Sequence, residues 1–167
     1  MKIYLCGPVE HDTHADDWRT RLTQQLPEHQ ILNPLIKPDH FPPEAKMPQG
    51  SYWKAWERSQ GNPTPELLKA FKGMHYCINA CRAMVLESDL LICRLPKIFT
   101  VGTIEELLLA KQWDKKVLFL CPDGPPSFWL MAEFACPHSV NDVFITNEQT
   151  LLEKIGAFNE TWNHQTI

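Results

Sequence analysis

The chain has 167 residues, 44% of them hydrophobic, with 16 Lys plus Arg against 20 Asp plus Glu, 14 Pro and 6 Cys. That length and apolar share suit one domain over 1–167 with a core that needs no disulfide or metal staple, and they exclude intrinsic disorder as a description of the whole. A net charge of −4 without a Lys/Arg cluster argues against a nucleic acid polymer or an acidic membrane surface as partner, which leaves small molecules as the expected ligands.

In chain order, Lys2 to Cys6 reads as a short strand closed by Gly7-Pro8, too short an apolar run for a signal-peptide core. No window reaches the roughly 18 apolar residues of a membrane span, so a cytoplasmic protein is expected. Asp16 to Leu26 carries Trp18, Leu22 and Leu26 at helical spacing, and Gln30 to Leu32 is a second strand ended by Asn33-Pro34. Between Asn33 and Pro65 stand seven of the prolines together with Tyr52, Trp53 and Trp56, which rules out a regular helix or a central strand across that stretch. It is too aromatic for a plain linker. The expectation is a lid-like insertion, about 36–76, with a short helix near Tyr52 to Arg58.

Thr64-Pro65 opens a helix, with a break expected at Gly73 before the pattern resumes through Cys77, Cys81, Met84 and Val85. Leu90 to Cys93 is a strand buried on both faces. A loop from Lys97 to Gly102 leads into a helix from Thr103 to about Trp113, then a strand from Val117 to Cys121. Ser127 to Phe134 reads as a short helix, Val143 to Thr146 as a last strand and Leu151 to Phe158 as a last helix. The alternation predicts an α/β fold: a doubly wound parallel sheet of about five strands with helices on both faces. Cys6, Cys93 and Cys121 end strand-like runs and read as buried thiols. Cys77 and Cys81, with His75 nearby, lack a second ligand pair, so neither metal nor organic cofactor is expected.

In such a sheet the ligand crevice lies beyond the carboxyl ends of the strands, which directs attention to Gly7-Pro8, Asn33 and the segment leading into Thr103. The string Val101-Gly102-Thr103-Ile104-Glu105-Glu106-Leu107 admits two readings. Thr103 as N-cap with Glu106 three residues on makes a capping box, which requires no function. The same placement holds an ionised carboxylate at a helix start, where it serves as a nucleophile. Spacing does not separate the two.

Tyr4-Leu5-Cys6-Gly7, the Ala83 to Asp89 helix end with Leu90-Leu91-Ile92, and Gly102-Thr103-x-x-Glu106-Leu107-x-x-Ala110 followed by Lys115-Lys116-Val117 together resemble the nucleoside 2-deoxyribosyltransferase family. The resemblance covers residues 2–35 and 77–135 and leaves the insertion outside. It implies a flavodoxin-like sheet, Glu106 as the catalytic nucleophile and Tyr4 as the catalytic tyrosine set against it. Strand-end and helix-start placement make Gly7, Pro8, Gly102 and Thr103 candidate substrate contacts, to which the resemblance adds Thr100; it further implies a homo-oligomer in which the Ser127 to Met131 stretch, with Trp129, helps a neighbouring site. Trp53 and Trp56 add candidate stacking surfaces for a base, or else anchor the insertion to the core.

Two positions depart from the family's pattern. Cys81 stands where many transferases carry an aspartate, and Thr100 where a second aspartate often touches the base. Related 5'-nucleotide N-glycosidases use a hydroxyl at the second place, which tilts the substrate towards a nucleotide. The implied reaction is cleavage or transfer at the N-glycosidic bond of a deoxynucleoside or its 5'-monophosphate, with a free base as second partner. The alternatives are a 5'-nucleotide N-glycosidase, including the phosphoribohydrolase type, and a non-catalytic nucleotide-binding module. The general acid stays open among His11, Asp12, His14, Asp39, His40 and Glu44. Arg19 either pairs with Asp16 or meets a phosphate.

Overall fold

A computed structural model of the chain describes residues 1–9, 15–37, 39–46, 50–96, 100–124, 127–136 and 138–165. Strand β1 (Lys2–Cys6) leads through α1 (Asp17–Gln25) to β2 (Gln30–Leu32). A 3-10 turn (Pro43–Lys46) and α2 (Gly50–Ser59) precede the long α3 (Pro65–Glu87). Then follow β3 (Leu90–Arg94), α4 (Val101–Gln112), β4 (Lys116–Leu120), α5 (Phe128–Phe134), α6 (Val140–Val143), β5 (Phe144–Ile145) and α7 (Glu148–Gln165). The five strands pair in parallel in the order β2-β1-β3-β4-β5, the flavodoxin-like arrangement that the sequence leads one to expect.

Side chains of a strand point alternately to its two faces, and β1 shows the consequence directly. Ile3 and Leu5 join Trp18 and Leu22 of α1, Leu90 and Ile92 of β3, and Leu151 and Ile155 of α7 in one core. Tyr4 and Cys6 face the other way, into a core with Met84 and Val85 of α3, Leu107 and Ala110 of α4 and Leu130 of α5. Tyr4 is thereby committed to the face that α4 covers. The order of the strands reverses between β1 and β3, where adjacent crossovers leave on opposite faces and open a crevice at the strand ends. Main-chain pairing of Cys6 with Cys93 sets the two strand ends level there.

At the opposite end of the sheet, Asp89 accepts a 2.7 Å bond from the Lys2 amide. Lys115 donates to the carbonyls of Leu86 and Ser88 at 2.6 and 2.8 Å, closing the C-terminal end of α3. The lysine of the Lys115-Lys116-Val117 motif therefore braces the fold far from the strand ends.

Several boundaries differ from expectation, α7 by three residues at its start and seven at its end, and α6 was not expected; two differences bear on the site. Helix α3 runs unbroken through Gly73, which is buried within it. A helical glycine costs roughly 1 kcal/mol against alanine, and an amphipathic helix of 23 residues packed along its length absorbs that. Its start is as expected: Thr64 accepts from the Leu67 amide at 3.2 Å, with Pro65 in the first turn. Helix α4 begins at Val101 rather than Thr103, with an extended Thr100 (φ −95°, ψ 162°) in the cap position. The expected insertion folds as α2 laid against α3, with Tyr52, Ala55 and Ala70 forming a small core of their own backed by Met74. Among the described residues no helix is long and apolar enough to cross a membrane.

Candidate active site

The earlier start of α4 removes the capping box. Thr103 becomes the third residue of the helix, is only 2% exposed, and shares a 3.2 Å hydroxyl contact with Thr100 instead of capping. Glu106 lies in the second turn, beyond reach of a cap, on the stripe that continues through Leu107 and Ala110 into the core. Its carboxylate Oε1 accepts a 2.7 Å hydrogen bond from the Tyr4 hydroxyl, joining residues 102 positions apart in sequence. Its neighbour Glu105 is turned about 100° away around the helix and pairs with Arg82 of α3 through a 2.8 Å bond from Nε. Of two adjacent glutamates, one is drawn inward and the other forms an ion pair at the rim.

Burial is the largest influence on Glu106 and pushes its pKa above the ordinary carboxylate value. The Tyr4 hydroxyl, the Cys6 thiol and the Arg19 guanidinium pull it back down, since each favours the charged form. The side chain keeps a partial opening to the crevice although protein surrounds its carboxylate. Tyr4 is fully buried. Desolvation, then the adjacent Glu106 charge, hold its phenol well above its usual range, so it stays a hydrogen-bond donor at neutral pH.

Arg19 corrects its expected pairing with Asp16 or a phosphate. Its side chain is wholly buried, stacks 4.6 Å from the Trp18 ring centroid, and donates to the Leu5 and Gly7 carbonyls at 3.3 and 2.9 Å and to Ala15. Buried charge needs partners, and the guanidinium finds three main-chain carbonyls around the end of β1. It fixes the turn at Gly7, whose φ of +149° and 2.9 Å approach of a virtual Cβ to the Arg94 carbonyl leave no room for a side chain.

Gly7, Thr100, Gly102, Thr103 and Glu106 border one cleft of about 230 Å³ at the β1/β3 reversal. The opposite wall is a helical stripe of α3: Met74, Cys77, Ile78, Cys81 and Arg82. That wall falls at i, i+3, i+4, i+7 and i+8, a spacing visible in the sequence, but its mix of sulfur, aliphatic and cationic residues reads as ordinary helix surface. Pro8 is buried next to Gly7, and Val9 reaches the cleft.

Trp53 and Trp56 stand apart, about half exposed, in a separate apolar groove with Tyr52, Ala70 and Phe71; Met74 borders both spaces. Trp129 is 78% exposed at the start of α5, outside the cleft lining. Of the candidate acids, Asp39 pairs with Lys46 at 2.9 Å, His40 lies against Phe41, and Glu44 belongs to the 3-10 turn. His11, Asp12 and His14 lie outside the described residues.

Comparison with known structures finds the same architecture. The chain is similar to a 2-deoxyribosyltransferase from Bacillus psychrosaccharolyticus at a TM-score of 0.54 and 14% identity, over 91% of this chain and 90% of that one. Weaker likenesses are to a CMP N-glycosidase of Clostridium botulinum (TM-score 0.46, 12% identity, 94% and 99% covered). Another is to a 2-deoxyribosyltransferase of Leishmania mexicana (0.44, 17%, 81% and 74%). No protein-family model and no curated protein sequence matches the chain. At such identities the likeness establishes the fold.

The raised pKa of Glu106 has a consequence for stability. An unfolded glutamate loses its proton at lower pH than the folded one, so the folded chain holds the extra proton in between and stability falls as pH rises through that interval. Glu106→Gln cannot ionise and is expected to unfold at a higher temperature than the parent at about pH 8, with the gap closing near pH 4. Calorimetric scans at both pH values check this, and a variant no more stable than the parent at the higher pH contradicts it.

Proposed function

We propose that the chain is an enzyme that breaks the N-glycosidic bond of a deoxynucleoside or its 5'-monophosphate through a glycosyl ester on Glu106. The observation that carries this reading is the Tyr4–Glu106 hydrogen bond on the wall of a cleft at the strand-end crevice. The deoxyribosyltransferase similar to this chain over most of both lengths supports the same assignment.

The chemistry follows from charge. As the bond from C1' to the base nitrogen lengthens, its electron pair goes to the base and positive charge develops on the sugar. A Glu106 oxygen captures C1', forming an ester, and the departing base takes up a proton. Water or a second base then attacks C1', and the ester bond breaks to return the carboxylate. Tyr4 donates to Oε1 throughout and orients the carboxylate, so that one oxygen is held and the other is available. Burial raises the energy of the anion, and bonding to C1' removes its charge. The site thus gains most at the moment of capture.

One observation favours a 5'-phosphorylated substrate. Thr100 and Thr103 place two hydroxyls on the cleft wall at the start of α4, where first-turn N–H groups have no intrahelical acceptor and the dipole end is positive. Incubation with deoxynucleosides, their 5'-monophosphates and the ribonucleotides, with and without a second base, resolves the alternatives by chromatography of released base. Release only with an acceptor marks a transferase, release into water a hydrolase, and binding without turnover a nucleotide-binding module.

Glu106→Gln is expected to lose turnover roughly a thousandfold or more, while Glu105→Gln, which breaks the Arg82 pair at the cleft rim, retains it within a few fold; equal losses in both would remove the assignment. Tyr4→Phe takes away a donor that lowers the Glu106 pKa, so the acid limb of the kcat/KM profile should move to higher pH, with a loss of about 10- to 100-fold. An unmoved limb speaks against Tyr4 acting on Glu106. Phe128 and Trp129, 80% and 78% exposed on neighbouring positions of α5, support association with a second copy of the chain. Sedimentation should show Trp129→Ser lowering the oligomer order, and an unchanged profile opposes that role.

A further inference from the structure

The reaction above leaves one requirement without a residue. The departing base carries off the electron pair of the C1'–N bond, yet Asp39 is paired with Lys46, His40 lies against Phe41, and neither borders the cleft. Among the described residues that do border it, Arg82 is the one cationic side chain. It is also held in place. Its Nε donates to Glu105 Oε1 at 2.8 Å, Nη2 donates to the same oxygen, and Nη1 donates to Asn79 Oδ1 at 3.4 Å. Those three bonds leave two of the five N–H donors of a guanidinium without an acceptor among the described residues.

Arg82 and the nucleophile stand at the same depth. Helix α3 leads into the start of β3 and α4 leaves its end, so the two helices run side by side away from the strand-end mouth. Glu105, the fifth residue of α4, lies about 6 Å along the axis from Val101, and Glu106 follows it. Pairing with Glu105 brings the Arg82 guanidinium to that level, and Arg82 itself sits about 12 Å along α3 from Met74. A substrate with its 5' end at the first turn of α4 and C1' at Glu106 carries its base on the side away from that turn, towards Arg82. This placement rests on the function proposed above.

We propose that Arg82 is a catalytic residue that receives the departing base as an anion, its remaining N–H donors meeting the acceptor atom onto which the negative charge spreads. The C1'–N bond breaks, its electron pair stays with the base, and a Glu106 oxygen bonds to C1'. No proton moves in that step. A guanidinium does not give up its proton, and the base takes one from water once it has left the cleft. The hydrogen bond from Arg82 strengthens as charge builds on the base, which is the condition for lowering a barrier. A base suits such a site when an acceptor stands beside its leaving nitrogen, the C2 carbonyl of a pyrimidine or N3 of a purine. Glu105 fixes the guanidinium, and Glu105→Gln keeps an acceptor oxygen in the same place, consistent with the turnover expected of that variant.

The test grades the leaving group. Deoxyuridine with its 5-fluoro and 5-nitro derivatives, and deoxyadenosine with 6-chloropurine deoxyriboside, are assayed as nucleosides and as 5'-monophosphates with the parent, Arg82→Ala and Arg82→Lys. Arg82→Ala should lose kcat on the order of 100-fold with the least acidic base of a series and only a few fold with the most acidic, because a base that bears negative charge well has less need of a cation. Arg82→Lys keeps the charge without the fork and should fall between. The ion pair is exposed at the cleft rim, so its loss should leave the melting temperature nearly unchanged. Equal losses across a series overturn the proposal, as does a loss confined to the 5'-monophosphates, which would make Arg82 a phosphate contact. Calorimetric titration with the free bases reads the same contact without turnover. At about pH 8.5, 5-nitrouracil and 6-chloropurine are largely anions while uracil and adenine are largely neutral, and the parent should bind the anions on the order of tenfold more tightly, a preference that Arg82→Ala removes. No such preference overturns the role of Arg82. A preference lost in Arg82→Ala, with no base released from any nucleoside or nucleotide by the parent, leaves the Arg82 contact standing and counts against the function proposed above instead.

Discussion

The hydrogen bond between the Tyr4 hydroxyl and the Glu106 carboxylate sets the geometry on which the rest of the site depends. It joins the first strand to the helix after the third, and it exists because β1 alternates. Ile3 and Leu5 are claimed by the α1/α7 core, so Tyr4 and Cys6 must face α4. A one-residue slip of β1 would turn the phenol to the other face and leave the carboxylate without its donor. The register of β1 against β3 is thus a condition of the Tyr4–Glu106 pairing as well as of the fold.

The same region buries the polar side chains of Arg19 and Thr103 beside Tyr4. Arg19 is fully enclosed, yet it spends its donors on the carbonyls of Ala15, Leu5 and Gly7 rather than on an acid. Burial lowers its pKa, but a guanidinium starts so far above neutrality that it keeps its charge. Its field reaches Tyr4, Cys6 and Glu106, which places a fixed cation behind the strand end. A carboxylate raised by burial and restrained by a phenol, a thiol and a guanidinium has its charged form balanced between opposing influences, which suits the covalent step proposed for it.

The periodic segments were legible in advance because their determinants are local. Thr64-Pro65 marked the start of α3, and the apolar run Leu90 to Cys93 marked the central strand. Boundaries decided by longer-range packing were not. Glycine at position 73 signalled a break that packing along α3 overrides, and T-x-x-E at 103–106 signalled a capping box that the position of Thr100 and the pull of Tyr4 on Glu106 forbid. The α3 wall was missed for a related reason. Cys77, Ile78 and Arg82 are unremarkable on an isolated helix and become a surface only when α3 lies across from α4.

By itself the sequence determined the order of the main elements, the parallel sheet, the three strand-end loops and, through a family resemblance, the pair Tyr4 and Glu106. The elements, the sheet and the loops follow from side-chain period, caps and turn residues acting within a few positions of one another, whereas the pair is what the resemblance implied. The tertiary structure alone decided that Arg19 is buried on carbonyls, that Trp53 and Trp56 lie in a groove of their own, and that two cysteines share the cleft with the carboxylate. Each of these depends on contacts between segments distant in the chain, whose partners and distances are set only when the crossovers fix how the helices lie on the sheet.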